Sequence, residues 1–219
     1  MSIDHHPSEA LLLDYASGAL GEGWSVAIAT HLALCPTCRQ VVRDMEAIGA
    51  ALMEGVKPAP LSGISKPDIS TAQFSTYEGE VTDCVSVEAG HIPVLPQPLR
   101  RYIGGDLDQV PWQRLGLGAY QYLLPTDEDE TVARLLRIPA GKLVPEHSHD
   151  GLELTLVLHG AFSDATGRYA RGDLQEVDGS LEHQPHAEAG GDCICLAVTD
   201  APLRFNSWAA RMVQPFIRI

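Results

Sequence analysis

The most informative stretch of the sequence is Thr30-His31-Leu32-Ala33-Leu34-Cys35-Pro36-Thr37-Cys38-Arg39. A histidine four residues before a cysteine lies one helical turn from it, so His31 and Cys35 can converge. Two cysteines separated by two residues form a knuckle that can bind one metal ion. Pro36 suits the first turn of a second helix, whose N-terminus is expected to favour the thiolate forms of Cys35 and Cys38. The stretch therefore predicts a helical hairpin closed on a metal such as zinc.

The fourth ligand of such a site is expected before this stretch. His5 and His6 are the only histidines in the first thirty residues, and both precede a predicted helix start at residues 7–9. We favour His6, because it is nearer the helix that must fold back on the metal, and His5 is the alternative. Four protein ligands leave no position for water or substrate, so this zinc is predicted to be structural. The alternative interpretation is that no metal is bound and that the stretch holds two reduced cysteines and a surface histidine.

Three helices are predicted in the first part of the chain, over residues 8–20, 25–34 and 36–53. Ser8 is a plausible N-cap of the first, and glycines end it. Apolar residues of the third recur at spacings of three and four, which is typical of a helix packed along its length in a bundle core. These residues are Cys38, Val41, Met45, Ile48 and Leu52. So small a bundle would need the zinc for stability.

The composition of the whole chain restricts the classes of protein to which it can belong. It has 219 residues and a formal net charge of −14, which argues against direct binding of nucleic acid. It has no run of 18 or more apolar residues and no signal segment, and five cysteines fit a reducing compartment. We therefore expect a soluble, cytoplasmic protein that does not bind membranes.

The second half of the chain has the pattern of a β-sheet protein. Residues 55–98 are rich in Pro and Gly and are interpreted largely as linker, with one weak helical pattern over residues 68–84. Short β-like runs then follow between turn residues, which predicts a barrel or sandwich. These runs are residues 120–124, 131–138, 152–158, 193–198 and 203–205. A short helix over 208–213 and an extended end are predicted to close the chain.

A second group of metal ligands lies among these predicted strands. His147 and His149 are two residues apart, so on a strand they point to the same side. Glu153 can return to the same cavity from the next strand, and His183 offers a further donor. Three imidazoles and a carboxylate form a mixed site suited to zinc, iron, manganese or nickel. His186 is a competing donor three residues later.

Both groups of ligands resemble those of a known family. The pattern G-x5-H-x-H-x3-E-x6-G, from Gly141 to Gly160, resembles the first motif of the cupins, and His183 resembles the ligand of the second motif. Residues 178–180 stand where cupins often have Pro-x-Gly. With the H-x3-C-x2-C stretch, the chain resembles the ChrR-type zinc anti-sigma factors.

The resemblance implies that the chain is a small zinc-bound helical bundle followed by an all-β cupin (jelly-roll) barrel, a multi-domain α + β protein. The boundaries expected are residues 1–85 for the anti-sigma domain, 86–105 for a linker and 106–219 for the cupin-like domain. The metal ligands implied are His6, His31, Cys35 and Cys38 for the first zinc and His147, His149, Glu153 and His183 for a second one in the cupin.

The function implied is that of an anti-sigma factor without enzymatic activity. Such a protein would hold a group IV (extracytoplasmic-function) sigma factor 1:1 and release it on singlet oxygen or organic peroxide. The family has a fourth helix in its sigma-binding domain, and residues 68–84 match it poorly. Either this segment folds only against the partner, or the contact differs. The alternative function is a cupin metalloenzyme, a dioxygenase or isomerase acting at the second metal.

Overall fold

The computed structural model describes residues 2–59, 93–116, 118–127 and 130–205, and its first part is helical. The helices are α1 (Glu9–Ser17), α2 (Glu22–Leu34) and α3 (Pro36–Glu54). Ser8 caps α1, since its side chain accepts a hydrogen bond from Leu11 N, and Gly18 ends that helix with φ +71°. The three predicted helices are confirmed, although α2 begins three residues earlier than expected.

The early start of α2 includes Gly23, which lets the helix lie close to the β-sheet. A Cβ at Gly23 would stand 2.2 Å from Thr131 Oγ1, so any larger residue would require Thr131 or the helix to shift. Beyond this point Ala27 and Ile28 are both 0% exposed. The helix therefore belongs to a core that it shares with the strands, and the helical residues do not form a separate bundle with a core of their own.

The apolar stripe of α3 is only partly a core stripe, which corrects the sequence interpretation. Cys38 is 3% exposed, but Ile48 is 64% and Leu52 is 72% exposed. The reason is length: α1 has nine residues and α3 has nineteen, so α1 spans roughly 14 Å against roughly 28 Å for α3. The second half of α3 thus carries apolar side chains with no neighbouring helix among the described residues to cover them.

A fourth helix, α4 (Gln97–Ile103), lies in the segment expected to be linker. Leu99 on α4 is 0% exposed and belongs to the same core as Ile28. Tyr102 Oη donates a hydrogen bond to Glu22 Oε1 at 2.7 Å, which ties α4 to α2. The prolines at residues 96 and 98 suggested a loop, but both stand at the start of the helix, where proline is tolerated.

In the part of the chain that the structure describes, twelve strands follow a short 3-10 helix (Leu107–Gln109). They are β1 (Gln113–Gly116), β2 (Ala119–Leu123), β3 (Val132–Ile138), β4 (His147–His149), β5 (Glu153–His159), β6 (Ala161–Asp164), β7 (Gly167–Ala170), β8 (Leu174–Val177), β9 (Glu182–His183), β10 (His186–Ala187), β11 (Cys193–Thr199) and β12 (Leu203–Phe205). Each of the five β-like runs found in the sequence corresponds to one of these strands within about a residue at each end.

The strands form a cupin-like arrangement of three antiparallel sheets. The largest has the order β1-β2-β3-β11-β5-β8, and the smaller ones are β10-β6-β7 and β12-β4-β9. The expected fold, helices followed by a cupin-like β domain, is confirmed, although the described strands do not close into one continuous barrel. No helix in these residues is long and apolar enough to cross a membrane. The predictions for residues 68–84 and 208–219 fall outside the described residues.

Candidate metal centres

Four predicted ligands meet in the helical part of the chain. The donor atoms of His6, His31, Cys35 and Cys38 all lie within 4.8 Å of one another. His6 Nδ1 is 3.5 Å from Cys35 Sγ and 3.3 Å from Cys38 Sγ. His5, the alternative donor, lies outside this group and packs on the ring of Tyr169, with centroids 4.3 Å apart.

The ends of two helices position three of these four side chains. His31 lies in the last turn of α2, Cys35 caps the N-terminus of α3, and Cys38 lies in the first turn of α3. His31 Nδ1 donates a hydrogen bond to Gly172 O at 2.9 Å, which leaves Nε2 as the unprotonated nitrogen of a neutral ring. This Nε2 is buried and has no hydrogen-bond partner in the described structure. A buried acceptor beside two thiols is what a metal ligand in this position requires.

The electrostatics of this centre are set by burial. Desolvation lowers the pKa of His31 to about 4, so its imidazole is neutral at pH 7 and available to a metal. Desolvation, with a contribution from Cys35, raises the pKa of Cys38 to about 12. The expectation that the helix N-terminus makes Cys38 a thiolate is therefore wrong for the metal-free chain. A metal must displace a proton from this thiol, so metal binding is favoured by rising pH.

The second centre is formed by three histidines on two paired strands. β4 presents His147 and His149 on one side, as the spacing predicts, and β9 presents His183, which is the register partner of His147. The three donor atoms lie within 4.8 Å of one another, and all three residues are buried. His183 Nε2 is 3.1 Å from His149 Nε2 and 3.2 Å from His147 Nε2.

Hydrogen bonds on the outer nitrogens fix which nitrogen faces the centre. His147 Nδ1 is 2.8 Å from Pro145 O, and His183 Nδ1 is 2.7 Å from Asp164 Oδ2. Both partners only accept hydrogen bonds, so both Nδ1 atoms are protonated, and the two Nε2 atoms face each other across 3.2 Å. Desolvation also lowers the pKa values of His147 and His149. Three imidazole nitrogens that converge in a buried site form a donor set suited to a transition metal.

Glu153, the fourth donor expected at this centre, stands beside the three histidines and not among them. Its Oε2 is 3.3 Å from His149 Nδ1, and its Oε1 accepts a hydrogen bond from Thr155 Oγ1 at 2.8 Å. The side chain is 10% exposed. Its carboxylate therefore contacts the outer nitrogen of His149 in this arrangement. His186, the competing donor, is exposed and lies outside the group.

Two cysteines lie near the second centre on one face of β11. Their Sγ atoms are 3.4 Å apart, and both Cys193 and Cys195 are buried in a small apolar cluster with Phe162 and Tyr169. The hydrogen bond with Cys193, together with burial, raises the pKa of Cys195 well above the usual value of a thiol. Both side chains are thus shielded from solvent, consistent with the interpretation of these residues as small core side chains.

Asp164 is a functional residue that the sequence did not reveal. Its carboxylate is fully buried against His183. Burial alone would raise its pKa, but hydrogen bonds from Thr166, Gln175 and His183 lower it to about 2. Asp164 therefore stays ionised and fixes the His183 ring, a role known for carboxylates behind metal-ligating histidines. No sequence motif marks it, because the contact spans 19 residues.

Comparison with known proteins relates both the cupin part and the whole chain to one family. Residues 101–202 match the ChrR cupin-like domain. The chain is 48% identical to the anti-sigma-E factor ChrR of Cereibacter sphaeroides, over 219 residues that cover 100% of each chain. It is also similar to a chain in the crystal structure of Rhodobacter sphaeroides SigE in complex with the anti-sigma ChrR. There the TM-score is 0.75, with 46% identity over 91% of this chain and 100% of the other.

Proposed function

Because the chain belongs to the ChrR family of anti-sigma factors, we propose that it sequesters an RNA polymerase sigma factor and thereby regulates transcription. The relationship over the full length of both chains carries this proposal. It favours a regulatory protein over the alternative of a cupin metalloenzyme. We further propose that the partner is a group IV sigma factor bound 1:1, that binding takes place in the cytoplasm, and that no nucleic acid is bound directly.

We propose that zinc occupies both centres. In tetrahedral zinc sites with typical bond lengths, a histidine nitrogen and a cysteine sulfur are about 3.6 Å apart, and two histidine nitrogens are about 3.3 Å apart. The 3.3 and 3.5 Å separations at His6 and the 3.1 and 3.2 Å separations at His183 fit these values. The first zinc would stabilise the fold through His6, His31, Cys35 and Cys38. The second would be held by His147, His149 and His183, with Glu153 as the proposed fourth ligand.

The surface that we propose for the sigma factor is the exposed half of α3. Ile48 and Leu52 are 64 and 72% exposed and four residues apart, so they lie on one side of the helix. Val56, which follows the end of the helix, is 68% exposed. Soluble proteins rarely leave such a contiguous apolar surface uncovered unless a partner binds there. The formal net charge of the whole chain is −14, which would favour a basic, DNA-binding partner.

This proposal predicts that Leu52→Asp weakens binding of the sigma factor by at least about tenfold, the effect of losing one central apolar contact. The substitution is at an exposed position, so the fold should be unaffected. Binding is measured by titration of the purified, metal-loaded chain with its sigma factor, together with repression of a sigma-dependent promoter.

Ala50→Asp is the matched control. It adds the same charge to the same helix on nearly the opposite side, again at an exposed position. It should bind within about twofold of the unmodified chain. Equal affinities for Leu52→Asp and the unmodified chain would exclude the exposed half of α3 as the binding surface.

A second prediction concerns the domain boundary, and it is that residues 1–85 suffice for inhibition. The first metal centre and the exposed half of α3 both lie within this fragment. Removal of the cupin uncovers Ala27 and Ile28 on α2, which are 0% exposed in the whole chain, so the fragment should be less stable than the whole chain. Repression by the fragment is measured in a purified transcription assay. A folded fragment that does not repress would place the binding surface elsewhere.

A further inference from the structure

The strand β8 and the turn before it hold the N-terminal segment that carries His6. Asp173 Oδ1 accepts hydrogen bonds from Asp4 N at 2.7 Å and from His5 N at 3.0 Å. Leu174 N donates to His5 O at 3.2 Å. Three hydrogen bonds from the cupin part of the chain thus fix the two residues immediately before a ligand of the first metal centre.

The same part of the chain also contacts the first centre at two further points. Glu176 accepts hydrogen bonds from Ser8 N at 3.0 Å and from Ser8 Oγ at 3.1 Å, two residues after His6. Gly172 O accepts the 2.9 Å hydrogen bond from His31 Nδ1. Residues 172–176 therefore position both histidines of the first centre, although they lie about 140 to 170 residues away in sequence.

The opposite face of β8 faces the second centre. Gln175 is 2% exposed, and its Nε2 donates to Asp164 Oδ2 at 2.8 Å. The same oxygen holds His183 Nδ1 at 2.7 Å. Because successive side chains of a strand alternate between its faces, Gln175 and Glu176 point to opposite sides of β8. One short strand therefore contacts the surroundings of both centres.

We propose that residues 172–176 couple the two metal centres, with Asp173 and Gln175 as the positioning residues. The inference rests on the proposed metal occupancy of both centres. With a metal bound, the His183 ring would be fixed and would hold the Asp164 carboxylate in place. Asp164 would in turn hold Gln175, and β8 would keep the position in which it binds residues 4–8. Without a metal, the His183 ring would be held by Asp164 alone, and β8 would hold residues 4–8 and the first centre less firmly. Such coupling is a difference in binding free energy and acts equally in both directions.

The test measures the metal affinity of the first centre with and without metal at the second, in the full-length chain. Cobalt(II) is the probe, since a thiolate–cobalt charge-transfer band arises only at the centre with cysteines. Chelator competition followed at this band gives the affinity in the unmodified chain and in a His147→Ala/His149→Ala variant. We expect the affinity to fall in the variant by about five- to 150-fold, the usual range for coupled sites.

Gln175→Leu tests the route of this coupling. In Gln175→Leu proteins, the cobalt affinity of the first centre should differ by less than twofold between intact and disabled second centres. The reason is that Asp164 no longer has a hydrogen-bond partner on β8. Gln113→Leu makes the same substitution at an exposed position of β1 and should leave the difference unchanged. A purely structural role of Gln175 would lower both affinities alike and preserve their ratio, which would overturn the proposed route.

Hydrogen exchange at Asp4 and His5 provides a measurement that needs no change in β8. Both amides donate to Asp173 and should exchange faster once the second centre is disabled. Equal exchange rates and equal affinities in the two proteins, with both centres loaded in the unmodified chain, would overturn the coupling and leave the proposed function standing. Absence of the thiolate–cobalt band would instead overturn the first metal site and the coupling together.

Discussion

Cys38→Ser is expected to remove the metal of the first centre, to unfold the helical part of the chain and to abolish binding of the sigma factor. Structural zinc supplies apparent folding free energy on the order of 10 kcal/mol, which is comparable with the whole stability of a typical domain. Serine is close in size to cysteine and the side chain is only 3% exposed. The substitution therefore removes the metal ligand with little change in packing.

The measurements are metal content, helical circular dichroism and sigma-factor affinity for the same protein preparation. Added zinc should raise the melting temperature of the unmodified chain, because a ligand that binds only the folded state stabilises it, but should not raise that of Cys38→Ser. Thr37→Ala is the control, an exposed position between the two cysteines that should retain metal and partner. A Cys38→Ser protein with intact helices and an intact partner would show that the metal is not structural.

The short-range features of the fold could be read from the sequence. The ligand spacing at His31, Cys35 and Cys38 follows from helix geometry, and the alternation at His147 and His149 follows from strand geometry. Both depend only on residues close together in the chain. The donor groups that they predicted are brought together in the structure.

The features that sequence reasoning missed depend on distant contacts. The exposure of Ile48 follows from the short length of α1, and the burial of Leu99 follows from its contact with the core around α2. Asp164 and Asp173 are ordinary turn residues in sequence, and only the fold brings them to His183 and to His5. Local sequence patterns do not indicate which distant residue a side chain will contact.

The remaining large effect is expected at the second centre. We predict that His147→Ala and His183→Ala proteins repress the sigma factor normally without oxidant and respond weakly to singlet oxygen. Repression should persist because both residues are 3% exposed within the cupin part and far in sequence from the exposed half of α3. Zinc is supplied in excess, so that the first centre stays occupied even at the lower affinity that the coupling implies for these proteins. The response should weaken because these proteins lack an imidazole ligand of the second centre and its metal, the groups that we propose as the target of the oxidant.

The expected loss of induction follows from the free energy that must couple the cupin part to release of the sigma factor. A coupling free energy of about 1–3 kcal/mol corresponds to about five- to 150-fold in the released fraction, so induction should fall by at least about fivefold. His149→Ala and Glu153→Ala should behave alike if Glu153 is a ligand. His159→Ala is the control, since His159 is an exposed histidine of β5 outside the centre, and it should respond fully. Induction at the unmodified level in His147→Ala and His183→Ala proteins shown to lack the second metal would exclude this centre as the sensor, and the oxidant would then have to act on the first centre directly.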